Sequence, residues 1–91
     1  MEKRQKLEAI EKMLRELEDV KNSQASILKK IAQIEAENIN VGVDIVDKEI
    51  GDVHEQTDTS LEHLNTLAEK VQLYRDDFVK KNKLDVPEEV Q

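Results

Sequence analysis

The stretch ENINVGVDIVDKE, residues 37–49, interrupts a chain whose pattern is helical on both sides of it. Two asparagines and a β-branched run surround Gly42, and glycine readily takes the positive φ with which many helices end. Asp44 follows as a candidate N-cap, because its side chain can accept a hydrogen bond from a free backbone N–H. The stretch therefore predicts a turn at residues 38–43 between two helices.

Before this turn, apolar residues recur at the three-and-four spacing of one helix face. This first seam consists of Leu7, Ile10, Leu14, Leu17, Leu28 and Ile31. It is widened once per heptad by Met13, Val20, Ile27 and Ile34. A stripe this wide exceeds what a two-stranded coiled coil uses, and it favours a bundle in which each helix contacts two others. Lys21 and Gln24 interrupt the seam and predict a polar layer.

After the turn, a second seam alternates steps of four and three residues. Its members are Val46, Ile50, Val53, Thr57, Ser60, Leu64, Leu67, Val71, Tyr74 and Phe78. This regular heptad spacing predicts a left-handed supercoil with a polar centre at Thr57 and Ser60. The segment HEQTDTS, residues 54–60, competes with the helical backbone, and Thr59 with Glu62 could form a capping box, so a break in this helix stays open as an alternative.

No single heptad frame joins the two seams, which places the change of frame in the turn. The two arms have nearly equal lengths of about 35 residues, or about 50 Å at the rise of an α-helix. We therefore predict an all-α antiparallel helical hairpin over residues 1–80, with helices at about 2–37 and 44–79 and a short acidic tail at 81–91. The alternative is a single long kinked helix, because packing can override the cost of one glycine, about 1 kcal/mol.

Composition and charge exclude several functions. The net charge is −7, with eight basic and eight acidic residues in 1–40 but six and thirteen in 41–91, which disfavours nucleic acid and anionic membranes as partners. One Tyr, one Phe and no Trp provide no stacking platform for bases. Without cysteine or a long apolar run, neither thiol chemistry nor membrane insertion is expected. We expect a soluble protein, and a cytoplasmic location is compatible with these features.

The sequence also lacks a recognisable chemical site. His54 and His63 are nine residues apart, on opposite sides of a continuous helix, and each is interpreted as solvated surface. The acid-rich window 44–55 has the length of a calcium loop but carries Val46 and Lys48 where oxygen ligands are needed. We predict no catalytic residue, metal or cofactor, no small-molecule ligand and no enzyme activity.

The chain resembles two classes of helical protein in a few short features. Small acidic hairpins of bacterial specialised secretion resemble this chain in size and shape, but Tyr74 is followed at four positions by Phe78 rather than an acid, and no Trp-x-Gly occupies the turn. NVGV (40–43) and KVQLYRDDFVKKNKL (70–84) resemble segments of small coiled-coil subunits of the eukaryotic complexes that build and position lysosome-related organelles. Neither likeness identifies the chain as a member of these families.

A lone hairpin would leave part of the widened first stripe in water, which predicts an assembly component. We expect a scaffold or adaptor that binds helices of other chains, with hetero-oligomers favoured over homo-oligomers. The predicted interaction residues are Leu7, Ile10, Leu14, Leu17, Val20, Ile27, Leu28, Ile31, Ile34, Val46, Ile50, Val53, Leu64, Leu67, Val71, Tyr74 and Phe78. The alternatives are a free-acting helical-hairpin module, either a secreted effector-associated protein or an inhibitor, and a subunit of a vesicle- or organelle-tethering complex.

Overall fold

The computed structural model describes residues 1–85 and folds them into two long α-helices. Helix α1 spans Lys3–Val41 (39 residues), helix α2 spans Asp44–Lys81 (38 residues), and the two pack against each other as a hairpin. The molecule measures 69 × 18 × 16 Å. The predicted hairpin is confirmed, and the single kinked helix is excluded because the chain reverses after α1. Most of the predicted tail, residues 86–91, lies outside the described residues.

Both helices run without interruption. Glu2 is the N-cap of α1, where its side chain and that of Gln5 form a capping box with the backbone. The possible break at 54–60 does not occur, because α2 is continuous from Asp44 to Lys81. The Thr57 hydroxyl donates to the Val53 carbonyl at 2.8 Å, so this side chain bonds within the helix instead of competing with it.

The turn is shorter than the sequence predicts. Helix α1 continues to Val41, and Gly42 then adopts the left-handed conformation with φ 69° and ψ 42°. The backbone N–H of Gly42 donates to the Asn38 carbonyl at 2.8 Å, which closes the last turn of α1. The expected role of Gly42 at a helix C-terminus is confirmed, and only residues 42 and 43 lie between the helices.

Asn38 organises this turn from inside the hairpin. The residue is 6% exposed, and its amide oxygen accepts from the backbone N–H of Val43 at 2.8 Å. Its amide nitrogen donates to the Val43 carbonyl at 3.3 Å and to Asp47 Oδ1 at 2.6 Å. One buried side chain therefore joins the end of α1 to the first turn of α2. Because these bonds hold Asn38 in place, α1 continues past the predicted end at residue 37.

The N-cap of α2 differs from the predicted one. Val43 holds that position and makes no side-chain capping bond, while Asp44 is the first helical residue. The carboxylates of Asp44 and Asp47 lie in the first turn, where they interact favourably with the positive end of the helix dipole. Because Asn38 already binds the backbone of Val43, the chain enters α2 one residue earlier than a capping Asp44 would allow.

The contact between the helices is thin. Ile10, Ile31 and Val79 are the buried apolar residues of the described chain, and no large side chain there is fully buried. The predicted polar layer lies near the middle of the contact, where Gln24 Nε2 donates to the Thr57 carbonyl at 3.3 Å. Lys21 pairs with Glu18 at 3.2 Å, and Ser60 points away from the layer into solvent.

The two glycines predict opposite responses to the same substitution. Gly42→Ala should destabilise the hairpin by about 1–2 kcal/mol, because an L-residue in the left-handed region clashes with its own backbone. Gly51→Ala should stabilise it by about 0.5–1 kcal/mol, since Gly51 lies inside α2 and an added methyl meets no atom within 4 Å. Urea denaturation of both variants measures the two signs, and equal effects would contradict this account of the turn.

Asn38 gives a second prediction about the turn. Asn38→Ala should lower the free energy of unfolding by about 1–3 kcal/mol, because the three part-buried hydrogen bonds of its side chain to Val43 and Asp47 are lost. Asn40→Ala is the matched control, since Asn40 is exposed in the same helical turn. Thermal unfolding followed by circular dichroism compares the two, and equal stabilities would show that Asn38 does not hold the turn.

Candidate partner-binding face

The inner contact follows one heptad frame on each helix. In α1 the inner positions are Leu7, Ile10, Leu14, Leu17, Lys21, Gln24, Leu28, Ile31, Glu35 and Asn38, all buried or half-buried. In α2 they are Ile50, His54, Thr57, Leu61, Leu64, Ala68, Val71, Arg75 and Phe78, all half-buried. The frame of α1 thus continues through polar residues to the turn, a signal already present in the spacing of Leu28 and Ile31.

The structure corrects half of the second predicted seam. Val53, Ser60, Leu67 and Tyr74 are exposed beside the contact, and the inner positions belong to their C-terminal neighbours His54, Leu61, Ala68 and Arg75. Both sets fit a heptad repeat. They share Ile50, Thr57, Leu64, Val71 and Phe78. The predicted set inserts a residue three positions after each of the first four shared residues, and the observed set inserts one four positions after it. The packing against α1 determines which set lies inside. The observed set contains two residues that contact acidic side chains of α1.

These two residues are His54 and Arg75. His54 Nδ1 of α2 contacts Glu35 Oε1 of α1. Arg75 donates from Nη2 to Glu11 Oε2 at 2.8 Å and from Nε to the same oxygen at 3.3 Å. The bonds to Glu11, followed by that to Asp76, raise the pKa of the Arg75 guanidinium. His54 is thus a contact between the helices rather than the predicted solvated residue.

Seven apolar side chains remain exposed on one side of the hairpin, in two rows, of which that of α2 is interrupted by Ser60. Each precedes an inner position by one residue, and each is between 45 and 49% exposed. We call this set the open face; it consists of Met13, Val20, Ile27, Ile34, Val53, Leu67 and Tyr74. In an antiparallel pair of helices these heptad positions lie on the same side, so the two rows run next to each other along the hairpin.

Two shallow concavities show that the rows meet across the helix boundary. The first, about 420 Å³, is lined by Lys6, Ile10 and Met13 of α1 and by Lys70, Val71 and Tyr74 of α2. The second, about 400 Å³, is lined by Met13, Glu16, Leu17 and Val20 with Leu67 and Val71. Because Met13 and Val71 line both, the concavities form one open apolar groove toward the ends of the chain.

The groove is bounded at that end by aromatic rings. Tyr74 and Phe78 stack with their centroids 6.3 Å apart and their planes at 13°. The ammonium of Lys6 lies 5.5 Å from the centre of the Tyr74 ring and 5.2 Å from that of Phe78. Phe78 is half-buried as an inner residue, whereas Tyr74 is 48% exposed on the open face, so the pair connects the inner contact to the groove.

Charge is distributed unequally around the hairpin. The charges that border the open face cancel. The acidic residues there are Glu16, Glu37, Glu49 and Asp77, and the basic residues are Lys6, Lys30, Lys70 and Lys81. On the other side of α2, acids recur every seven residues at Glu55, Glu62, Glu69 and Asp76, which we call the acidic side. The excess negative charge of the chain therefore lies away from its exposed apolar groove.

The predicted interaction residues divide into two groups by this geometry. Leu7, Ile10, Leu14, Leu17, Leu28, Ile31, Ile50, Leu64, Val71 and Phe78 pack between the two helices. Val20, Ile27, Ile34, Val53, Leu67 and Tyr74 belong to the open face, and half-buried Val46 lies beside the turn. Met13 completes the open face, while His54, Leu61 and Arg75 are contact residues that sequence reasoning did not select.

Residues 1–85 show neither a metal centre nor a membrane span. No group of three or more His, Asp or Glu side chains in this part of the chain is arranged to hold a metal ion. None of its helices combines the length and apolarity needed to cross a bilayer.

Comparison with known proteins does not assign the hairpin to a family. No family model matches the chain, and no curated protein or solved structure is detectably similar to it.

Proposed function

We propose that this protein is a non-enzymatic scaffold or adaptor subunit that binds helices of other protein chains on its open face. The observation that carries the proposal is the two rows of apolar side chains, seven in all and each about half exposed, along one side of the hairpin. Contiguous exposed apolar surface on this scale typically marks a site of protein association.

The hairpin leaves about half of each open-face side chain uncovered. Burying a large aliphatic side chain completely is worth about 1.5–3 kcal/mol, so covering the exposed half of each is worth about 1 kcal/mol. The seven side chains together then contribute on the order of 7 kcal/mol, and a partner with an equally apolar surface adds a similar amount. The total of about 14 kcal/mol lies near the upper end of the cost of association, roughly 4–15 kcal/mol, so a partner with a matching face can bind.

A helix fits this face better than a strand does. Neighbouring members of each row are seven residues apart, about 10.5 Å along a helix at a rise of 1.5 Å per residue, except that Ser60 separates Val53 from Leu67. A partner helix that lies along the groove also presents side chains every seven residues. It can insert them between the side chains of the open face. An extended strand turns its side chains to opposite faces at every residue and cannot keep this spacing.

The inner residues have a different role in this proposal. They hold α1 against α2 and thereby present the two rows of the open face side by side. Because the inner contact contains Lys21, Gln24, Glu35 and His54, its apolar area is small, and covering the open face should add to the stability of the hairpin. The partners are therefore other helical chains, either of different sequence or identical, and a cytoplasmic location remains compatible.

A matched pair of leucines tests the proposal. Leu67→Asn should weaken association and lower the melting temperature at a fixed concentration, because Leu67 is a member of the open face. Leu73→Asn is the control, since Leu73 is in the same helix and 68% exposed but lies outside the open face. Sedimentation velocity and thermal unfolding across a hundredfold range of concentration measure both effects.

The result that would contradict the proposal is equally clear. If the native chain is a monomer whose cooperative melting temperature does not vary with concentration, and if Leu67→Asn and Leu73→Asn change it equally, the open face does not need a partner. A free-acting hairpin module would then be the better description.

A further inference from the structure

We infer that the open face binds a second copy of the same chain, with α1 of one copy antiparallel to α1 of the other in a four-helix bundle. The inference rests on the proposed function, because it names one helical partner for the same face. It is carried by the placement of apolar and charged residues about the middle of α1.

The apolar row of α1 has the symmetry that such a dimer requires. Met13, Val20, Ile27 and Ile34 are evenly spaced, and their midpoint lies between Ser23 and Gln24. A two-fold axis through this point, perpendicular to α1, places Val20 beside Ile27 of the second copy and Met13 beside Ile34 of the second copy. Every member of the row thus meets an apolar side chain, as a self-complementary interface demands.

The charges next to this row obey the same symmetry. Glu16 and Lys30 border the open face seven residues before and after Ser23, and both are exposed. Neither has an ion pair or hydrogen bond of its side chain within residues 1–85. The two-fold axis brings Glu16 beside Lys30 of the second copy and repeats the pair on the other side. Small, uncharged Ser23 lies within half a residue of the axis, where each copy meets itself.

Helix α2 is compatible with the arrangement. Contacts between the helices such as Asn38 with Asp47 and Glu11 with Arg75 join residues whose numbers sum to 85 or 86, so the same axis crosses α2 near residue 61. It therefore brings Val53 close to Leu67 of the second copy, and it brings Ser60 close to Ser60 of the second copy.

Size and charge agree with a second copy as the occupant. The whole hairpin is 69 Å long and up to 18 Å wide, so one side of it is large enough for the roughly 800 Å² per partner of a standard interface, and the apolar rows cover about 32 Å of that length. Two chains of charge −7 repel each other, but the acidic side faces away from the groove and the residues bordering the groove are balanced. A strongly basic partner would instead gain most on the acidic side, away from the groove.

Charge reversal tests the pairing of Glu16 with Lys30. E16K and K30E alone should each weaken the homodimer on the order of tenfold, because each variant turns two attractive contacts into repulsive ones. The double variant E16K/K30E should recover the native dimer affinity. The E16K chain carries lysine at both positions 16 and 30, and the K30E chain carries glutamate at both. In a mixed dimer each lysine therefore lies beside a glutamate. Mixed dimers should then make up more than the one-half of all dimers that random exchange gives.

Sedimentation equilibrium gives the affinities, and native mass spectrometry of a mixture with one isotope-labelled chain gives the share of mixed dimers. The control variants are K29E and E62K, which change charges of the same type on the opposite side of the hairpin. A mixture of these two should form mixed dimers at the random share, and neither variant alone should differ from the native chain by more than about twofold.

The possible outcomes distinguish failure of the homodimer from failure of the proposed helix-binding function. If Leu67→Asn weakens association but the E16K and K30E mixture shows no preference, the open face binds helices in another arrangement and the inference alone fails. A native chain that is monomeric at 100 µM, as a partly folded molecule with a broad melting transition, also overturns it and indicates a partner of different sequence. A monomer with a cooperative, concentration-independent transition overturns both.

Discussion

The buried hydrogen bonds of Asn38 are the constraint on which the rest of the hairpin depends. They tie the last turn of α1 to Val43 and to Asp47 in the first turn of α2, and they leave only two residues between the helices. A turn this short permits little sliding of one helix past the other. The register that begins at Asn38 therefore decides which residues of α2 face α1 along the full length of the molecule.

That register has a consequence for the distribution of polar and apolar residues. It places Glu35 beside His54 and Glu11 beside Arg75, while leaving Val53, Leu67 and Tyr74 half exposed. Polar contacts between the helices contribute less than apolar burial would, but they oppose alternative registers because a shifted pair would leave a charge without its partner. The hairpin thus combines a specific but thin inner contact with an apolar surface available to another helix.

This combination explains why association is the function best supported by the geometry. A hairpin that used Val53, Leu67 and Tyr74 internally would have a richer core and a polar outer surface. The observed register does the reverse, and the apolar residues of α1 at Val20 and Ile27 lie on the same side as those of α2. Neutral borders and a remote acidic side then make this surface compatible with a second copy of the same chain.

The sequence by itself determined two helices, their approximate lengths and the position of the turn, because the seven-residue periodicity and the left-handed preference of Gly42 are local properties. It also identified Val20, Ile27 and Ile34 as a row wider than one helix pair can cover. The inner residues of α2 were decided only by the tertiary structure. Val53 and His54 fit equally regular heptads, and the choice follows from the antiparallel register of α1, in which Glu35 meets His54 and Asn38 closes the turn.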